Sequence, residues 1–192
     1  MTPQRPTRLL LTGGVLRPNG FELGEGKYYG GARLVALDTA TGRSELLLRV
    51  DDGGPNFPAE HPNLEFTASC REGEDLWLSM DTEIRRYHLP GLSLVATYSH
   101  PCFHNIHSVA VRGDHLWVTS TGLDFVVVLD KLTGAIVEMI HADGKPTWHR
   151  FSPDVDYRQV YSTRPHDCHP NGKRLSDAPP KQAKRTGAGG VG

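Results

Sequence analysis

The sequence predicts an all-β chain, and three observations carry that prediction. Apolar residues come in short β-branched or aromatic runs, as in Phe125-Val126-Val127-Val128-Leu129. No longer stretch shows the spacing of an amphipathic helix. Turn residues separate the runs throughout, with 21 glycines and 14 prolines in 192 residues, so the chain reverses often and over short distances.

An internal repeat organises these strands. Gly113-Asp114-His115-Leu116-Trp117-Val118-Thr119-Ser120 echoes Gly73-Glu74-Asp75-Leu76-Trp77-Leu78-Ser79-Met80 at an offset of 40 residues. A second strand and a turn follow each: Phe125 to Asp130 leads to Thr133-Gly134, and Ile84 to His88 leads to Pro90-Gly91. A third strand comes next, Ile136 to Ile140 in one copy and Leu94 to Tyr98 in the other. Nearer the start, Arg33 to Gly42 matches the segment from Val127 to Gly134, and Glu45 to Val50 supplies the strand after it. A four-stranded antiparallel meander repeated at this period is the blade of a β-propeller, because one twisted sheet cannot bury both faces and must stack on neighbours. Trp77 and Trp117 fall where such stacking needs bulk. The predicted fold is therefore a partial β-propeller over residues 1–172, with blades at 8–58, 64–101 and 106–145, an insertion at 146–165 and the start of a fourth blade. Residues 173–192 carry five basic groups against one acid and few aliphatics, the composition of a disordered basic tail.

Composition excludes several partners. Twenty-one basic residues nearly cancel 22 acidic ones, so no strong field favours nucleic acid. No apolar run approaches the roughly 20 residues of a membrane-spanning helix, and Thr12-Gly13-Gly14 interrupts the first apolar stretch before it reaches the length of a secretion signal. Cys70, Cys102 and Cys168 are odd in number and widely spaced, which fits a reducing compartment. A cytoplasmic location is the expectation.

The candidate chemistry lies at the entrances to successive blades. His61-Pro62-Asn63-Leu64-Glu65 precedes the second copy, His104-Asn105-Ile106-His107 the third, and His166-Asp167-Cys168-His169-Pro170-Asn171 the incipient fourth. Superposing them puts Asn63, Asn105 and Asn171 in one register, with Glu65 matching His107. In a propeller these positions converge on one mouth of the central channel. His104, His107, His166, His169 and Glu65 are then candidate ligands for a divalent cation of the Zn²⁺, Ca²⁺, Mn²⁺ or Fe²⁺ kind. His107, which begins an inner strand, is the candidate catalytic base. His-Pro-Asn also closes turns by bonding backbone, so the same residues have a purely structural reading. His104 and His107 are three apart, which on a regular strand points the rings to opposite faces. His88, His100, His115 and His141 fall in outer strands or turns and are set aside. In the insertion, Arg150 and Arg158 stand with Trp148 and Tyr157 as candidates to clamp a planar or anionic ligand. An equal alternative packs these aromatics on the neighbouring blade.

The G-[DE]-x-L-W-[VL]-[TS] strand at Gly73 to Ser79 and Gly113 to Thr119, with the L-D-x-x-T-G turn at Leu37 to Gly42 and Leu129 to Gly134, resembles the YVTN, NHL and gluconolactonase-like propeller superfamily. The resemblance covers Arg8 to Gly172. It implies a ring of four to eight blades, so three copies and a fourth entrance are expected to need a partner chain or further blades, or to belong to a truncated or frame-shifted product. It also implies a metal-assisted small-molecule hydrolase of lactonase type, in which Glu65, Asn105 and Asn171 resemble the carboxylate-and-amide ligand style of gluconolactonase-like members. A non-catalytic propeller that binds a ligand or a protein is the alternative, and an arylsulfotransferase-like transfer enzyme a further one. Leu9-Leu10-Leu11-Thr12-Gly13-Gly14 lacks the later glycines of a dinucleotide-binding turn and reads as an inner strand of the first blade. No GxSxG elbow is present.

Overall fold

The computed structural model describes residues 8–23 and 28–170. Asn171 and the predicted tail at 173–192 lie outside the described residues. Three antiparallel sheets follow one another in chain order. The first comprises β1 (Arg8–Leu16), β2 (Tyr29–Asp38) and β3 (Ser44–Val50). The second comprises β4 (Ala68–Glu72), β5 (Asp75–Ser79), β6 (Ile84–His88) and β7 (Ser93–Tyr98). The third comprises β8 (Ile106–Arg112), β9 (His115–Ser120), β10 (Phe125–Asp130) and β11 (Ile136–His141). Each is a simple meander, and the described residues contain no α-helix.

The repeated L-D-x-x-T-G motif has a local cause. Asp130 Oδ1 accepts hydrogen bonds from the backbone N–H of Leu132 and Thr133 and from Thr133 Oγ1, at 2.8–3.0 Å. Asp38 Oδ1 accepts from Ala40 and Thr41 in the same way. The chain then reverses through Gly134 at φ +73° and Gly42 at φ +71°, a left-handed conformation that glycine adopts without steric cost.

The register shows which strand is which. Leu9 pairs with Leu37 across β1 and β2, as Leu116 pairs with Leu129 across β9 and β10. β1 thus holds the second position of its blade, that of β5 and β9, which corrects the expectation of an inner strand there. The first sheet has three strands and no full counterpart of β4 or β8 among the described residues. Glu65, bridged to Gly14, and Phe66, whose N–H donates to Gly13 O at 3.1 Å, lie beside β1 in that position.

Alternation sorts each strand into two faces, and both faces of the middle blade are buried. Its Leu76, Leu78 and Tyr87 pack with Ala32, Leu34 and Phe66 in one core. Its Trp77, Ile84 and Tyr98 pack with Leu116, Val118, Phe125, Val127 and Leu129 in the other. Trp77 is the largest side chain so buried, as the repeat predicts, and the backbone N–H of Val111 donates to Cys70 Sγ across the same seam. The sheets are thus blades stacked face to face, with β4 beside β8.

Candidate functional site

A cavity of about 210 Å³ opens where the chain enters the blades. Asn63 and Glu65 reach it from the entrance to the second blade, His104, Asn105 and His107 from the entrance to the third, and His166 and His169 from the segment beyond. The superposition of entrances therefore brings together seven of the predicted residues. The cavity also takes Tyr28, Asp81 and the stretch Tyr161 to Arg164, which no sequence pattern marked.

Local backbone irregularities aim these side chains. The β8–β9 pairing runs from Ile106↔Ser120 to Ser108↔Thr119, so His107 is the extra residue of a β-bulge. A bulge turns its side chain out of the regular alternation. Asn105 beside it is left-handed at φ +53°, a conformation Asn tolerates. Together they overturn the strand-parity expectation, and both His104 and His107 face the cavity. His107 Nε2 lies 3.1 Å from Asn105 Oδ1. Since Oδ1 can only accept, Nε2–H donates and the ring's basic lone pair is on Nδ1. His104 is a tie: Nε2 donates to Val160 O at 3.1 Å, joining the insertion to the blade. Its ring lies over Gly122, where a Cβ would come within 2.0 Å of Nδ1.

Asn63 is buried and bridges two elements. Its Oδ1 accepts from the backbone N–H of Tyr29 at 3.0 Å, and its Nδ2 donates to Glu65 Oε1 at 3.1 Å. Burial pushes the Glu65 carboxyl above its ordinary 4.5, and the Asn63 amide offsets only part of this. Opposite, the rings of His166 and His169 stack 5.0 Å apart, with His107 edge-on to His169 at 5.2 Å. Burial, and next to it His169, hold His166 below its ordinary 6.5.

No known family profile matches the chain, and no curated protein matches it. Solved structures similar to it include hydrazine synthase of Kuenenia stuttgartiensis, at 12% identity over 57% of this chain and 29% of that one, TM-score 0.42. Glutaminyl cyclase of Myxococcus xanthus follows at 15% identity, 58% and 45% coverage, TM-score 0.37. The RRP9 WD40 repeats give 14% identity, 71% and 43% coverage, TM-score 0.42. The chain spans less than half the length of each. The three stacked meanders settle the architecture on their own geometry. The fold is a β-propeller, in part.

The propeller holds its last described segment with a buried carboxylate. Asp124, side chain fully buried, follows β9 in a left-handed conformation at φ +59°. Its carboxylate accepts from the backbone N–H groups of Asp167, Cys168 and His169 at 2.8, 3.1 and 3.0 Å. This clasp fixes His166 and His169 at the cavity. Arg150 belongs to it and not to the cavity wall: its guanidinium meets Asp167 Oδ1 at 3.1 Å and the carbonyls of Thr163 and Pro165. Arg158 is also turned away, toward Asp156, Asn56 and Ser99. Trp148 and Phe151 pack edge-on against Phe125. The insertion is thus a flap packed on the third blade, and its two arginines brace it from within.

The predicted histidine and glutamate ligands are gathered without forming a cation cage. Among the described residues, the group that puts three ligand atoms within 4.8 Å of one another is Asp124, His141 and Asp167. None of these is a candidate from sequence, since two come from unrelated loops and His141 ends β11. Their carboxylates are already matched, Asp124 by three amides and Asp167 by Lys145 at 2.6 Å and Arg150 at 3.1 Å. Two resident cations leave little negative charge for a third. The donor sets therefore do not fit a resident metal as arranged.

Proposed function

We propose that the cavity binds a small polar molecule and hydrolyses an ester or lactone bond in it, with His107 as general base. The observation that supports this is the convergence of four imidazoles and a half-buried carboxylate from separate entrances on one small cavity. Its volume is about seven waters at roughly 30 Å³ each, which suits a small metabolite. In this reading His107 Nδ1 takes a proton from water as the water oxygen bonds to the carbonyl carbon. The amide N–H₂ groups of Asn63 or Asn105 stabilise the oxyanion. When the carbonyl re-forms and the C–O bond breaks, the imidazolium returns its proton to the leaving alkoxide. His166 and His169 line the opposite wall as hydrogen-bonding groups. A panel of small esters and lactones tests the reading: wild type should turn over at least one of them, and His107→Ala should lower kcat about 100-fold or more. Absence of turnover across the panel, or full activity in His107→Ala, refutes it. Unchanged activity after chelation of divalent metals is expected.

A further inference from the structure

The two outward faces of the blade stack carry complementary halves of the junction that the chain already uses inside itself. Within the chain, the tryptophan face of the second blade, with Trp77 1% exposed, receives Leu116, Val118, Val127 and Leu129 of the third. By register, Leu9, Leu11, Val35 and Leu37 of the first blade are the counterparts of those four residues. All four buried residues are 0% exposed, whereas Leu9 and Leu11 are 42% and 45% exposed and Val35 and Leu37 are only half-buried. The other half is also open. On the far face of the third blade Trp117, paired with Ala110 and Val128 as Trp77 is with Cys70 and Arg86, lines an apolar cavity of about 180 Å³ with Val126 and Ile140.

We propose that this face is an interface with a second copy of the chain: the Trp117 face of one copy receives the Leu9 and Leu11 face of the other, and the reverse junction forms at the same time. A second copy fits this face better than an unrelated partner, because the required surface is present on the chain and has the same chemistry that fills the equivalent seam internally. Three blades from each copy give a ring of six, within the four to eight that propellers close with. Two identical head-to-tail junctions related by a two-fold axis close the assembly and cover both open blade faces.

Sedimentation velocity and light scattering on the full 192-residue chain test this. The expected species has twice the 21.2 kDa chain mass. Leu11→Glu and Trp117→Lys should each give a monomer. Mixed together they should recover a dimer, since that pairing contains one unaltered junction and one Glu–Lys junction. The mixing experiment also separates a disrupted interface from a misfolded variant, which a partner cannot rescue. A monomeric wild type, an open series of larger oligomers, or failure of the mixed variants to dimerise would each overturn the proposal.

Discussion

The Nδ1 atoms of His166 and His169 face each other at 2.8 Å across rings 12° from parallel. At that distance one nitrogen must carry the proton and the other the lone pair, so the pair is bonded only while at least one ring is neutral. A second proton would put two imidazolium charges in contact on a half-buried wall.

That relationship fixes a pH dependence. Burial, reinforced by His169, lowers the His166 pKa below 6.5. A histidine lowered in this way binds fewer protons folded than unfolded, so its contribution to stability is complete above about 6.5 and declines as pH falls through the folded value. The melting temperature of the wild type should therefore drop more steeply than that of His166→Gln between about pH 6.5 and 5. Parallel profiles for the two proteins over that range would show that the pair does not titrate as described.

Glu65 gives the opposite sign. Its carboxyl is raised above 4.5 by burial, so the folded state holds its proton more tightly than the unfolded chain does. Stability from this group is present at acid pH and is lost as pH rises through the folded value, leaving an ionised carboxylate half-buried at a cost near neutrality. Glu65→Gln keeps the contact with Asn63 and removes the charge. It should melt higher than wild type at pH 7 and equally near pH 4, while losing whatever ligand affinity the charge supplies. A variant less stable than wild type at pH 7 would mean that an unrecognised partner compensates the carboxylate.

The parts of this arrangement that were readable from sequence share one property: they repeat. Trp77 and Trp117 mark the same register in two blades, and Asn63 and Glu65 match Asn105 and His107 because entrances superpose when blades do. His107 was legible as a site residue for that reason, although its direction depends on a bulge that no residue type announces. Arg150 looks available in the sequence because Asp167 is brought to it only by folding, and Arg158 because Asn56 and Ser99 are too, although its ion-pair partner Asp156 stands only two residues away. Asp124 and Asp167 come from two loops and His141 from the end of β11, with no common spacing. Tyr28 and Tyr161 reach the cavity from irregular segments where neither strand nor helical periodicity applies.

Asp124 is the residue on which the cavity's far wall depends, and its carboxylate can be tested apart from its shape. Burial alone would raise its pKa, but the amides of Asp167, Cys168 and His169 outweigh this and hold it below the ordinary value. Asn tolerates the same left-handed backbone, so Asp124→Asn isolates the change from two accepting oxygens to one. The new N–H₂ then faces a backbone N–H with no acceptor between them, and a buried donor is left unmatched. The expected loss is about 1–3 kcal/mol of global stability, read as a lower denaturant midpoint. Since the clasp sets the positions of His166 and His169, amide exchange in residues 166–169 should accelerate more than in the blade strands. A variant with the wild-type midpoint and unchanged exchange would show that the segment is held by Arg150 and Lys145 alone.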